Sequence, residues 1–346
     1  MSKRAFNILA VCTAIAVAAA FWAIQQEWSR WGTNEYGTRF FPELAGKMDE
    51  IARVQLLHRD TRITIERTPK GWSVRESDGY PARAKAIQEL LYALSESRRV
   101  EPKTQDAKKF AKLQVEDPGK PGSEAKQIDV FDKNGQSLAS LILGKENLLL
   151  QAIGEGGAYV RLPNQKQSWL ASGNLVAGAE FKDWLDNPIL DIPRQRVARA
   201  VITHPNGERL VVSKSAKGDG AFVVEGIGAD EKLISEYYPT DIGRAFEKFE
   251  AHQVRRRSAL EFPADATIKG EHQTSDGITI AFELTTIGGK DWIRFNAASG
   301  QSPAAAADGK KLMEHVGGWA FLIPEFESIH LKKTRSQVIE KAKPQS

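Results

Sequence analysis

Six histidines, 44 acidic side chains and one cysteine are what this 346-residue chain offers for chemistry. A zinc site needs imidazole or thiolate ligands at close spacing, as in H-E-x-x-H or Cys-x-x-Cys. Cys12 stands alone, and His252, His272, His315 and His330 are scattered without such spacing. His58 and His204 close two similar segments, which marks them as parts of the fold. Asp183, Asp186, Glu325 and Glu327 are carboxylates of the kind that pair as general acid and base, but nothing in the sequence brings them together. "GIGADE" (Gly226–Glu231) follows an apolar segment, as a dinucleotide fingerprint would. Glu231 stands where a third glycine would let the helix pack closely, and no parallel βαβ pattern surrounds it, so it reads as a turn. No Walker A sequence or G-x-S-x-G elbow occurs. The expectation is no catalytic residue, no cofactor and no metal.

Two clusters suit binding better than catalysis. "HQVRRRS" (His252–Ser258) gathers Arg255, Arg256 and Arg257, which could face anionic headgroups or an acidic partner. The competing reading is basic charge at a helix C-terminus offsetting the macrodipole, and "SRRVE" (Ser97–Glu101) holds the same place in an earlier copy. "WSRWGTNEYGTRFFPEL" (Trp28–Leu44) carries Trp28, Trp31, Tyr36, Phe40 and Phe41. Tryptophans there suit a membrane interface and phenylalanines suit core docking; the alternative is contact with membrane-embedded partner subunits. These eight residues are the candidate contact surface.

The elements that must position them are repeated. "IARVQLLH" from Ile51 faces "VARAVITH" from Val197 at an offset of 146 residues, with His58 on His204. In each copy two further apolar-alternating segments follow: "RITIERT" and "GWSVRE", then "ERLVVSK" and "AFVVEG". These are hairpin signals. Next come "YPARAKAIQELLYALSESRRVE", with Ile87, Leu91 and Leu94 at helical spacing, and "YPTDIGRAFEKFEAHQVRRR", with Ile242, Phe246 and Phe249. Proline at the start and apolar residues three and four apart predict a helix in both. Strand patterns resume after each helix, through "SWLAS" in the first copy and "SIHLKK" in the second. "AASGQSPAAAADGKK" (Ala297–Lys311) reads as a loop ending in a short helix. The fold class predicted is α+β: an N-terminal transmembrane helix, then two tandem repeats of β-β-β-α plus a small antiparallel sheet.

The transmembrane expectation rests on Ile8–Ile24, 17 residues without a charge, enough with their flanks to span a bilayer core. Lys3 and Arg4 place the N-terminus in the cytoplasm and the body outside; Trp22, Trp28 and Trp31 fall at the exit. A cleavable signal peptide ending near Ala18–Ala20 is the rival reading. A lipoprotein signal is excluded by Val11 before Cys12. The net charge of +4 is too even for a nucleic-acid binder. The divisions expected are a stub and anchor (1–30), an aromatic juxtamembrane segment (31–47), a first repeat (48–180), a linker (181–195), a second repeat (196–336) and a tail (337–346).

On the "W-S-V" strand, the "YPARAKAIQELLYAL" helix, "LILGKEN" with "AYVRLP", and "FKDWLDNPIL" leading into "VARAVITH", the chain resembles a family of uncharacterised bacterial membrane-anchored proteins catalogued as a domain of unknown function. The resemblance runs from about Met48 to Thr334. Members are often encoded beside ABC-2-type transporter subunits of the gliding-motility kind. What this implies is a non-enzymatic, single-pass inner-membrane protein with a periplasmic body. Its partners would be membrane lipid and permease or auxiliary subunits, with ATP hydrolysed by another chain and no nucleic acid bound. The alternatives are an envelope hydrolase or transferase whose site assembles only in three dimensions, and a structural spacer.

Overall fold

The computed structural model describes residues 13, 15–22, 35–152, 156–216 and 220–342. The first copy forms β1 (Ile51–His58), β2 (Thr61–Thr68), β3 (Gly71–Val74), the short β4 (Tyr80–Pro81), helix α1 (Ala84–Glu96), β5 (Arg98–Pro102), helix α2 (Phe110–Leu113), β6 (Lys126–Asp132), β7 (Ser137–Glu146), helix α3 (Leu148–Ala152), β8 (Gly157–Arg161) and β9 (Ser168–Ser172). The second forms β10 (Val197–Thr203), β11 (Arg209–Lys214), β12 (Phe222–Val224), β13 (Glu231–Leu233), helix α4 (Tyr238–Gly243), β14 (Gln253–Arg256), β15 (Ile268–Thr274), β16 (Ile278–Ile287), β17 (Lys290–Gly300), helix α5 (Pro303–Val316), β18 (Trp319–Ile323), helix α6 (Glu325–Leu331), helix α7 (Arg335–Val338) and β19 (Ile339–Lys341).

The α+β expectation is corrected: the chain is mostly β, built on two large antiparallel sheets with few helices. One sheet has nine strands in the order β4-β3-β2-β1-β6-β7-β8-β9-β5; the other has eight, β12-β11-β10-β15-β16-β17-β18-β14. Each hairpin expected to stand apart from a small sheet is instead continuous with it. Val54 of β1 lies opposite Val130 of β6, and Ile202 of β10 opposite Gly270 of β15. A separate layer would leave the second edge of β1 or β10 with unpaired N–H and C=O groups; pairing satisfies them. It also aligns the buried Val54, Leu56, Ile128 and Val130 in one core. Apart from the added β4, the two sheets share one order, with β5 and β14 each returning to the far edge.

The expected transmembrane helix is also corrected. Among the described residues no helix is long and apolar enough to cross a membrane. Within Ile8–Ile24, helix is described only at Thr13 and Ile15–Trp22; the rest of that segment, with Cys12, lies outside the described residues.

In the second copy the predicted long helix is only six residues, α4. The backbone beyond it is committed elsewhere. Ile192 N–H donates to Phe246 O at 2.8 Å, Phe249 N–H to Leu190 O at 2.8 Å, and the Asn187 side chain bonds both ways with Ala251 at 3.0 Å. Those bonds replace an i−4 ladder, while Phe246 and Phe249 remain 1% exposed. The basic runs after both helices are edge strands β5 and β14, so helix-dipole compensation does not explain them. The expected 297–311 loop is the end of β17 followed by α5, a helix of 14 residues whose N-terminus is capped by Ser302. It packs so closely that a Cβ on Gly300 would lie 2.1 Å from the Ala306 nitrogen. The expected strand at Ser328–Lys333 is mostly α6.

The chain divides into two compact units, residues 1–62 with 87–179, and residues 63–86 with 180–346. In the first, α1 buries Ile87, Leu90, Leu91 and Leu94, and Phe110, Val115, Ala125 and Ile142 form a satellite cluster. In the second, Ala200, Ile202, Leu210, Val212 and Ile242 pack with Val338 and Ile339. There the 181–195 segment buries Trp184, Leu185, Ile189, Leu190 and Ile192 and exchanges backbone bonds with Pro81 and Arg83.

Candidate functional site

Helix α6 organises the most reactive surroundings, all in the second unit. It starts directly after β18 because Pro324, extended at φ −69 and ψ 154, serves as N-cap, with Glu325 and Glu327 in the first turn; acidic residues there suit the helix dipole. Ser328 and Leu331 point inward and are fully buried, whereas Phe326 is 68% and Ile329 43% exposed.

On one side α6 secures a buried carboxylate. Asp291 of β17 accepts from Thr286 Oγ1 at 2.6 Å, Ser328 Oγ at 2.5 Å and Lys332 Nζ at 2.8 Å. Burial alone would raise this carboxyl, but the bonds from Lys332, Ser328 and Thr286 hold it below the usual aspartate range. The groove above it, about 480 Å³, is lined by His252, Lys290, Glu325 and Lys332. Burial, with Lys182 nearby, holds His252 below the ordinary histidine value.

On the other side lies a smaller recess of about 230 Å³, walled by Glu327 and His330 of α6 and by Asp241, Arg244 and Glu247 of α4 and the turn after it, with Phe326 at its rim. Burial pushes the Glu327 carboxyl up to about 7, reinforced by the charge of Glu250 and opposed by the Glu250 backbone amide. Its Oε2 is shielded from solvent without a hydrogen-bond partner, as is His330 Nδ1. Burial lowers His330, so its imidazole is neutral at physiological pH. A carboxyl titrating near neutrality beside a neutral imidazole can exchange a proton or receive a donor; this recess is the candidate site.

Glu325 and Glu327, noted in the sequence, therefore face different cavities. Asp183 accepts from the Glu180 backbone N–H at 3.0 Å, and Asp186 N–H donates to Pro81 O at 3.0 Å. His58 and His204 each bond a backbone carbonyl, Ala125 O at 3.2 Å and Lys333 O at 3.0 Å. "GIGADE" is a turn into β13, in which Gly228 N–H donates to Glu231 Oε2 at 2.8 Å. Among the described residues no group of three or more His, Cys, Asp or Glu is placed to hold a metal ion.

Of the eight candidate contact residues, six are described, three in each unit. Trp28 and Trp31 lie outside the described residues. Tyr36 is 43% exposed, Phe40 is buried, and Phe41 is half-buried. In the first unit their segment runs along β5, with Gly37 N–H donating to Arg99 O at 2.9 Å and Phe40 N–H to Ser97 O at 3.0 Å, and Arg99 lies over the Phe40 ring at 4.5 Å. The basic trio sits in the second unit. Arg255 Nη1 reaches Asp78 Oδ1 at 3.3 Å, Arg256 lies over the Trp319 ring at 4.1 Å, and Arg257 donates to Phe295 O at 2.8 Å. The recess does not emerge from the sequence because "SIHLKK" (Ser328–Lys333) reads there as a strand; Pro324 followed by Glu325 and Glu327 is the helix-start signal that points to it.

A model of the family described as a domain of unknown function (DUF4340) matches residues 72–265, more than half of the chain. No curated protein and no solved structure matches it.

Proposed function

The chain belongs to the DUF4340 family, and from that premise we propose that it is a non-enzymatic, membrane-anchored binding subunit whose second unit docks a protein partner. The observation that carries this reading is the exposed apolar face of α6. A seven-residue helix that buries Ser328 and Leu331 leaves Phe326 and Ile329 in solvent. Helix α4 packs against α6, and Tyr237, one residue before α4, is 77% exposed. Aromatic side chains and arginine are enriched at interface cores, and exposed apolar patches mark contact surfaces. The resemblance noted in the sequence supplies the partner class: permease or auxiliary subunits of an ABC-2-type transporter. Co-purification of the full chain in mild detergent tests it. Integral-membrane proteins are recovered with the parent chain and lost with Phe326→Ala plus Tyr237→Ala; recovery of none, or recovery indifferent to both substitutions, overturns it.

The near-neutral Glu327 carboxyl supports a second reading, an envelope hydrolase with Glu327 as general acid. Under it, Glu327→Gln abolishes turnover of envelope polymers that the parent chain degrades.

A further inference from the structure

We propose that the tip formed by α3, in the first unit, is a lipid-binding surface: Leu148 and Leu149 enter an anionic bilayer while nearby lysines meet its phosphates. The tip joins β7 to β8, and its orientation is fixed by local contacts. Asn147 Oδ1 accepts from the Leu149 and Leu150 backbone N–H groups, both at 3.1 Å, which starts the helix. Leu150 turns inward, where a Cβ on Gly157 would lie 2.5 Å from its Cδ1. That leaves Leu148 and Leu149 pointing outward, 75% and 79% exposed. Single exposed leucines are ordinary on a protein surface, but two in succession make an apolar patch that calls for a partner.

The polar surroundings of the tip are aromatic and basic. Asn147 Nδ2 donates to the Tyr159 hydroxyl at 3.1 Å, and the Lys103 and Lys145 ammonium groups lie 5.8 and 5.9 Å from the centre of the same ring. Tyr159 also packs against the Phe110 cluster, which brings α2 alongside. Gly144 abuts that helix so closely that a Cβ there would lie 2.2 Å from Leu113 O. Lys112 of α2 and Lys109 just before it are exposed, as is Lys145. Lys103 is held by Glu101 at 2.6 Å, and Glu146 adjoins Lys145 in sequence. Among the described residues Lys109, Lys112 and Lys145 make no ion pair, so these three supply the charge for an anionic surface.

Composition selects lipid over protein as the occupant. Lysine is depleted at protein interfaces, and leucine is under-represented among their hot spots. The α6 face, with Phe326 and Tyr237, has the composition that suits a protein; the α3 tip does not. At a bilayer surface the same residues have complementary places. Leucine reaches the acyl boundary, tyrosine sits at the headgroups, and lysine stems lie along apolar surface with their charges in the phosphate layer. Each lysine close to an anionic leaflet strengthens binding about fivefold. Such contact is interfacial and requires no membrane-spanning helix.

The test reconstitutes the full chain with lipid nanodiscs, either of phosphatidylcholine alone or with about one-third phosphatidylglycerol, and follows hydrogen exchange at residues 147–152 by mass spectrometry. Anionic discs slow exchange there about tenfold relative to neutral ones, while α1, in the same unit, exchanges equally in both. Leu148→Ser with Leu149→Ser removes the protection. Lys109→Gln with Lys145→Gln removes its dependence on phosphatidylglycerol, as does about 0.5 M salt. All four substituted side chains are exposed, and unchanged exchange in α1 shows that each variant is folded. Equal exchange in the two kinds of disc, or protection that survives loss of both leucines, overturns the proposal. Protection that appears only when integral-membrane proteins are reconstituted alongside assigns the tip to a protein partner and overturns it equally.

Discussion

Tyr80, which ends the hairpins of the first copy, stands edge-on to Trp319 of β18, with ring centroids 5.1 Å apart and planes at 87°. Phe321 meets the same ring edge-on at 5.8 Å. Tyr80 is fully buried, and burial, aided by Asp186, raises its hydroxyl far above the ordinary tyrosine range. The hydroxyl lies 3.4 Å from both Asp186 O and His315 Nε2, long for hydrogen bonds. Trp319 is in turn covered by the Arg256 guanidinium, so one run of contacts connects the Tyr–Pro motif to the basic cluster.

Truncation at this position is expected to be severe. Tyr80→Ala removes a buried ring and its two edge-on partners and costs about 3–5 kcal/mol. Tyr80→Phe, which loses only the long hydroxyl contacts, costs under about 1 kcal/mol. Urea denaturation followed by tryptophan fluorescence separates the two; equal losses would show that the hydroxyl, not the ring, secures the hairpin.

In the first unit, Arg161 has a side chain only 5% exposed. It donates to Val115 O at 2.8 Å, Pro163 O at 2.9 Å, Gln165 O at 3.2 Å and Asp117 Oδ1 at 2.5 Å, and lies over the Phe110 ring. Most of that network is backbone, and the Asp117 side chain is 54% exposed. Arg161→Ala therefore costs about 3 kcal/mol, through buried carbonyls left unsatisfied, and Asp117→Ala only about 1 kcal/mol. Lysine lacks the planar fork that reaches four acceptors, so Arg161→Lys stays near the alanine value. Denaturant midpoints give the ranking, and a Lys variant as stable as the parent would refute it.

His272 gives the second unit an acid limit. It packs against Phe246 at 4.5 Å, its Nε2 lies 3.0 Å from Ile242 O, and burial holds its pKa down at about 4. The folded state thus favours the neutral ring. Its contribution is complete above the ordinary value of about 6.5 and is lost as pH falls through about 4, amounting to about 3 kcal/mol. His272→Gln, which cannot titrate, flattens this limb. Melting temperatures between pH 7 and pH 4 measure it, and parallel curves for parent and variant would rule out His272 as the cause.

Glu327 runs the other way. Its folded pKa of about 7 is above the ordinary glutamate value, so its stabilising, protonated form is complete below pH 4.5 and is lost as pH rises through about 7. Glu327→Gln keeps the neutral shape and is expected to melt above the parent at pH 8 and level with it at pH 4.5. A constant difference across that range would mean that the carboxyl is not titrating there.

Legibility followed the balance between local pattern and long-range pairing. Helix α1 was readable because Ile87, Leu91 and Leu94 bury one helical face, and nothing competes for its backbone. The same spacing at Ile242, Phe246 and Phe249 misled, because the bonds that decide the backbone come from Asn187–Ile192, some sixty residues earlier. The joining of hairpin and later strands into one sheet depends on which edges meet, and no single strand records that. In the candidate site Glu327 was visible as a carboxylate, but its shielding comes from α4 and Glu250, which lie far from it in sequence. His272 looked unremarkable because a histidine's setting, not its neighbours in sequence, fixes its charge.

Residues 63–86 belong to the second unit although residue 62 before them and residue 87 after them belong to the first. A ribosome therefore releases this hairpin more than two hundred residues before it supplies Trp319 and Phe321. Until then Tyr80 is an unsheltered aromatic on a growing chain, a natural handle for chaperones. A cut near residue 180 would leave the second piece without residues 63–86, a part of its own interior.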